Sequence, residues 1–311
     1  MDKIKIVTVV GPTASGKTSL AVKLAQKFNG EVISADSMQV YKGMDIATAK
    51  PDEEEKCGIK HHLIDIISPD EEFSVSLFKD MAEKAIKDIH SRGKLPIIAG
   101  GTGLYVDCLI NNTTFLDNTK NDEVRSSLQA RLEKEGNESL YNELLEKDPD
   151  AAEKIHPNNS LKIIRALEIL YSSGNTLTEQ NLKSHEKESD FESLVIGLNA
   201  NDRNVLYDRI NLRVDLMVEK GLVEETEKFF SLQTASTACQ AIGYKELKPY
   251  LDGVISLDEA KENLKQSTRR YAKRQLTWFR RNENINWINI DEGTSEDLIL
   301  KAENIVKEFL Q

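Results

Sequence analysis

Cysteine is scarce in this chain and long apolar runs are missing. The three cysteines, Cys57, Cys108 and Cys239, lie far apart and form no CxxC pair. That spacing argues against a disulfide framework and a zinc site, and it fits a reducing cytoplasm, the expected location. No apolar stretch approaches the roughly 18 residues of a membrane span, so no membrane partner is expected. The run from Ile4 to Val10 is too short for a signal peptide and leads directly into a glycine-bearing loop; it reads as a buried first strand. Low-complexity segments and internal repeats are absent as well. Net positive charge is missing too: the 311 residues sum to -11, which by itself speaks weakly against a nucleic-acid partner. With 39% hydrophobic and 30% charged residues, the chain can bury the core of one large domain or two ordinary ones.

What the chain does contain is concentrated at a few places. Residues 11 to 18 read GPTASGKT, the spacing of a phosphate-cradling loop. Across Gly11, Pro12, Thr13, Ala14, Ser15 and Gly16 the glycines let backbone N–H groups, which every residue but Pro12 carries, approach phosphate oxygens, and the helix expected after them favours negative charge at its start. Lys17 supplies a point charge, and Thr18 is placed to ligate Mg²⁺. The loop sits between a β-branched run (residues 4–10) and an amphipathic stretch carrying Leu20, Leu24 and Phe28, the context that gives the motif its weight.

The first part of the chain alternates strand and helix signals. EVISAD (31–36), HHLIDI (61–66) and LPIIAGG (95–101) read as further strands, and residues 74–92 as a helix. This alternation predicts an α/β fold with a doubly wound, mainly parallel sheet whose ligands lie at the carboxyl ends of the strands. From about residue 115 the texture turns polar and helical. SLVIGLNA (193–200) returns as a strand, with long helices after it to the end. The expected organisation is a P-loop core of residues 1–114 and 192–311, with a helical insertion at 115–191 and a helical C-terminal part.

Several residues stand at the expected strand ends. Asp36 admits three readings: an acid assisting Mg²⁺, a general base aimed at an acceptor, or a helix N-cap. The strand 95–101 runs out into Gly100-Gly101-Thr102-Gly103 where many NTPases place a metal-binding aspartate. Thr102 there is a hydroxyl on bare backbone, suited to anionic oxygens. The adjacent His61 and His62 point to opposite faces of a strand, which favours structural roles over a metal pair. Residues 261–281 carry eight cations, among them Arg269, Arg270, Lys273 and Arg274, against a single Glu262. Their local charge of +7 runs against the sign of the chain and points to a polyanion. Ser256 with Glu259 predicts the helix start, and Leu257, Leu264, Tyr271 and Trp278 form its expected inward stripe.

GPTASGKT, ISADSMQVYKGMDIATAK, HHLID, LPIIAGGTGLY, RVDLMVEKGLVEE, QAIGYKE and TRRYAKRQLTWFRR, in this order, resemble the bacterial tRNA dimethylallyltransferases across about residues 4–281. The resemblance implies transfer of a dimethylallyl group from dimethylallyl diphosphate to N6 of the adenosine 3′ of the anticodon (tRNA position 37), releasing diphosphate. It implies Asp36 as base, with Lys17, Thr102, Arg213 and Thr18 with Mg²⁺ stabilising the departing diphosphate. Ser37, Met38 and Gln39 would line the acceptor pocket. Gln240, Ala241, Ile242, Gly243, Tyr244 and Lys245 would approach the anticodon loop, and Leu161, Lys162, Ile163, Ile164 and Arg165 would touch RNA from the insertion, where Ile163 and Ile164 also read as core. The chain departs from the family pattern at Ala47, where a glycine is usual, and at Asn159 and Lys162, where aspartate and arginine are expected. No Cys/His finger follows the core, and a monomer is expected. The rival readings are an adenylate isopentenyltransferase acting on free nucleotide, a P-loop small-molecule kinase, and a non-catalytic RNA-binding module.

Overall fold

A computed structural model of the chain describes residues 3–113, 121–184, 188–232, 234 and 237–311. Six strands form one sheet: β1 (Ile4–Val10), β2 (Gly30–Ser34), β3 (His61–His62), β4 (Leu95–Gly100), β5 (Phe191–Asn199) and β6 (Asn286–Asn289), in the order β3-β2-β4-β1-β5-β6. All neighbouring pairs are parallel. β1 lies between β4 and β5, and its Ile6, Val7, Val9 and Val10 are fully buried, as a β-branched run covered on both faces requires. The amphipathic stretch after the loop forms the helix Lys17–Lys27, which sends Leu20, Ala21 and Leu24 into the same core as Val7 and Ile97. β1, β2 and β4 all end on one side, and their carboxyl ends gather the chemistry.

Two sequence expectations need correction. The C-terminal part is not helical throughout, because Asn286–Asn289 pairs with β5 as an edge strand. Only Ile288 of its four residues is buried, so the segment lacks the apolar run that marks an inner strand. The basic segment does form a helix, Leu257–Phe279, begun by Ser256, whose Oγ accepts the Glu259 N–H at 3.2 Å. Its inward stripe, however, is Ala260, Leu264, Ala272, Gln275 and Phe279. Tyr271 faces the cavity described below, and Trp278 donates its indole N–H to Asp107 at 2.7 Å.

The chain divides into two compact units, Met1–Ile110 with Asp190–Gln311, and Asn111–Ser189. The expected boundary between residues 114 and 115 lies outside the described residues. The second unit has its own core, built on Leu128, Leu140, Leu144, Ile163, Ile164 and Leu167. Ile163 and Ile164 are therefore inside that core and their side chains are not open to RNA. Arg165 pairs at 3.0 Å with the fully buried Glu168. Of the five residues expected to touch RNA from here, Leu161 and Lys162 are exposed. Asn159 caps its helix by accepting the Lys162 N–H, a task that aspartate would perform equally well. Among the described residues no helix is long and apolar enough to cross a membrane.

Glu31, in the middle of β2, is a carboxylate with a side chain only 3% exposed. Arg92 grips both its oxygens at 2.5 and 2.7 Å, Lys94 donates at 2.8 Å, and His62 Nε2 lies 2.7 Å away. His61 instead meets the Ile59 carbonyl at 2.9 Å, so the histidine pair serves the sheet edge. The Arg92 hydrogen bonds hold the Glu31 carboxyl well below its usual range. A depressed carboxyl contributes stability above the unfolded pKa of about 4.3, and that contribution is lost as pH falls through the folded value. Glu31→Ala is expected to cost about 3 kcal/mol in urea denaturation at pH 7, with variant and wild type converging in acid.

Candidate active site

The carboxyl ends of β1, β2 and β4 open into a cavity of about 320 Å³. Lys17 and Arg213 bring cationic groups to its wall, Asp36 a carboxylate, and Thr13, Thr18 and Ser37 hydroxyls. Met38, Val214, Met217, Leu222, Ile242 and Leu264 supply apolar surface. One cavity thus offers charge for an anion, a carboxylate for a proton, and an apolar wall.

The anion-directed part is the Gly11–Thr18 loop. Gly16, at φ 93°, adopts a left-handed conformation that suits glycine, and the helix begins at Lys17 with neither a side-chain cap nor an acid in its first turn. The helix's first N–H groups therefore lack a side-chain acceptor, as an anion site requires. Within the loop the Ser15 hydroxyl is buried with no hydrogen-bond partner among the described residues, a further group suited to an added oxygen. Lys17 Nζ donates to the Pro12 carbonyl at 2.7 Å. Burial pulls its pKa down to about 7, the Arg213 charge acts in the same direction, and Asp36 opposes both. Arg213, on the helix Arg203–Glu219, donates to Thr13 Oγ1 at 3.2 Å. The fold thus brings a residue 200 positions away to the loop.

Asp36 lies just past the end of β2. Its Oδ1 accepts the Met38 N–H at 2.9 Å; this bond closes a turn and no helix begins here, so the helix N-cap reading does not hold. Burial raises the pKa of the carboxyl, while the Met38 N–H, Lys17 and Arg213 pull the other way. Its neighbours are held firmly. Gln39 accepts from Ser34 at 2.9 Å and donates to the Thr48 and Ala49 carbonyls at 3.2 and 3.3 Å. Of the QAIGYK segment, Gln240 to Gly243 and Lys245 line the cavity. Tyr244 is buried, stacked on Phe229 at 4.1 Å with its hydroxyl on Glu225, so it supports the wall and is not open to a partner.

Thr102, read from the sequence as a hydroxyl suited to anionic oxygens, is tied to the turn after β2. Its Oγ1 accepts the Ser37 N–H at 3.1 Å and lies 3.4 Å from Ser37 Oγ, and its own N–H bonds the Ala35 carbonyl. Thr102 therefore orders the turn that presents Asp36. The flanking glycines are bare because the protein itself comes close. A Cβ on Gly101 would collide with Gln275 Nε2, and one on Gly103 with the Trp278 ring.

The basic helix is divided in its duties. Arg269 is committed to Asn211 and Glu262 at 2.7 and 2.8 Å, and Lys261 and Lys265 pair with Asp215. Arg274 lines the cavity and lies over the Tyr271 ring. Arg270 and Lys273 are exposed and make no ion pair among the described residues. Sequence reasoning missed two residues. Gln275, seen only as part of the charge run, links two strand-end loops; its signal is a polar residue in register with Ala272 and Phe279. Glu225 accepts the N–H groups of Asp45, Ile46 and Ala47 at 2.8 to 2.9 Å and so fastens the segment whose Ala47, Thr48 and Ala49 line the cavity. No local pattern marked it.

Comparison with known proteins supplies the family context. The family model described as IPP transferase matches residues 39–282, and that described as Isopentenyl transferase matches residues 4–68. A tRNA dimethylallyltransferase of Acetivibrio thermocellus is 54% identical over 308 residues, covering 97% of this chain and 96% of the relative. The crystal structure of the full-length tRNA isopentenylpyrophosphate transferase from Bacillus halodurans superposes with a TM-score of 0.74 at 46% identity, covering 98% and 96% of the two chains. A eukaryotic dimethylallyltransferase described as acting on tRNA gives a TM-score of 0.81 at 32% identity, covering 98% of this chain and 80% of the other.

The perturbed lysine gives a direct expectation. An amine with a pKa of about 7 is mostly charged at pH 6 and mostly neutral at pH 8. The ratio of pyrophosphate affinities, wild type over Lys17→Met, is expected to fall about tenfold between those values in calorimetric titrations. A ratio independent of pH contradicts the assignment.

Proposed function

The chain belongs to the tRNA dimethylallyltransferase (IPP transferase) family, and from that premise we propose that it prenylates N6 of the adenosine 3′ of the anticodon, with dimethylallyl diphosphate as donor. The observation that carries this reading is the convergence of Lys17, Arg213 and Asp36 on one cavity with an apolar wall. The exocyclic amine of adenine is a poor nucleophile because its lone pair is conjugated into the ring. As the nitrogen attacks C1 of the prenyl group, a C–N bond forms, the C1–O bond breaks, and the proton on nitrogen passes to the Asp36 carboxylate. The bond electrons leave with the diphosphate, whose growing charge meets Lys17, Arg213 and the loop N–H groups.

The same residues bear on the metal. Among the described residues no three His, Cys, Asp or Glu side chains converge to cage an ion. A hard cation sharing its ligands between Thr18 and substrate phosphate oxygens fits that arrangement, and Mg²⁺ is such an ion. When bound it adds positive charge against the diphosphate. The acceptor must leave its stack in the anticodon loop to enter the cavity, where Met38, Gln39 and Ala47 to Ala49 would surround it. Exposed Arg270 and Lys273 would meet phosphates of the same RNA, supported by Arg274 at the cavity rim.

Incubation with dimethylallyl diphosphate, Mg²⁺ and either tRNA or AMP, followed by mass spectrometry of the nucleosides, tests the function. One prenyl group on adenosine from tRNA alone is expected; a product on AMP alone points to the free-nucleotide reaction. Asp36→Ala should lower turnover about 10²- to 10⁴-fold while leaving tRNA affinity nearly unchanged, and near-normal turnover would remove the base assignment. Replacing Arg270 and Lys273 together by Glu should weaken tRNA binding and reduce the slope of log K against log salt by about 1–2. An unaltered slope returns that face to simple solvation.

A further inference from the structure

We propose that Gln275 is a positioning residue that fixes the phosphate loop from the basic helix, so that the diphosphate cradle takes its shape from an amide outside the loop motif. Its side chain is 5% exposed and uses both ends. Oε1 accepts the Thr13 N–H at 2.8 Å, and Nε2 donates to the Gly101 carbonyl at 2.9 Å. The two partners leave no freedom in the amide's orientation, since a backbone N–H only donates and a carbonyl only accepts. Gly101 carries no side chain at the place Gln275 Nε2 occupies. Thr13 is consequently held twice, its N–H by Gln275 and its hydroxyl by Arg213.

This placement joins two parts of the site that the sequence presents as separate. The strand-end loops after β1 and β4 are spanned by one side chain from the helix Leu257–Phe279. One turn before Gln275, Tyr271 lines the cavity, and its hydroxyl lies against both Gln275 and Thr102. Arg270 and Lys273 lie on the exposed face of the same helix. A loop that must present several N–H groups to one diphosphate depends on small angular errors. A partner that only filled space could be replaced by an isosteric apolar residue. A partner that orients Thr13 could not.

The inference rests on the reading of the loop as a diphosphate site, and pyrophosphate binding to the unsubstituted protein tests that reading separately. If wild type binds no pyrophosphate, the cradle reading fails; if wild type binds and the variants behave as it does, only the role of Gln275 fails. Gln275→Leu keeps the volume and removes both hydrogen bonds, and is expected to weaken pyrophosphate about tenfold in calorimetric titrations at pH 7.5.

Gln275→Glu provides the readout that a space-filling role would not move. Ionised, its second oxygen faces the Gly101 carbonyl and repels it. Protonated, a carboxylic acid reproduces the amide, accepting from Thr13 and donating to Gly101. The charged and titratable groups that line the same cavity as Gln275 are Lys17, Asp36, Arg213 and Lys245 from other elements, and Tyr271 and Arg274 on its own helix. Each is also present in wild type, so affinities are compared as a ratio to wild type at every pH. The deficit of Gln275→Glu is expected to exceed tenfold at pH 8 and to shrink to within about threefold at pH 5. Unchanged affinity in Gln275→Leu, or a Gln275→Glu deficit that is the same at both pH values while thermal melts show both variants folded, overturns the proposal.

Discussion

Everything in this site follows from removing two cations and a carboxylate from water around one cavity. Each is costly to bury alone, and the costs show in opposite directions: the Lys17 ammonium is weakened to a pKa of about 7, and the Asp36 carboxyl is raised. Titratable groups perturbed in this way, one lowered and the other raised by burial around one cavity, mark a candidate site for acid and base chemistry. A diphosphate would change the balance: its negative charge would favour the ammonium form of Lys17 and make the nearby Asp36 carboxylate a stronger base, so on the proposed function donor binding would prepare Asp36 to take a proton.

Such an arrangement works only if its parts stay in place, and the protein supplies that rigidity mostly through backbone hydrogen bonds. Thr102 fixes the turn after β2, Gln39 ties that turn to residues 48 and 49, and Glu225 fastens residues 45–47. Lys50 adds bonds to the Tyr41 carbonyl and to Asp45 and Asp65. These bonds act on placement. They decide where Asp36 and the cavity wall stand, and misplacement by about 1 Å can cost a hundredfold in rate.

The sequence disclosed those parts whose physics is local. A β-branched run before a glycine loop and an amphipathic helix after it place Lys17 and Thr18 unambiguously, and Ser256 with Glu259 marks the start of the basic helix. Contacts distant in sequence were not legible. Gln275 meets Thr13 across 262 positions and Glu225 meets Ala47 across 178, and no periodicity records such a pairing. The strand Asn286–Asn289 escaped notice because an edge strand buries one side chain in four. Gly101 and Gly103 are approached by Gln275 and Trp278, and glycines approached by protein look the same in a sequence as glycines approached by a ligand.

The central claim is that the donor's diphosphate and the proton-accepting carboxylate share this cavity. A crystal structure with a slowly reacting thiolodiphosphate analogue of the donor tests it most directly. The account predicts diphosphate oxygens at roughly 2.7–3.2 Å from Lys17 Nζ and the Arg213 guanidinium, with the prenyl C1 open toward the Asp36 carboxylate. A diphosphate bound away from the Gly11–Thr18 loop, or a prenyl carbon shielded from Asp36, would contradict it.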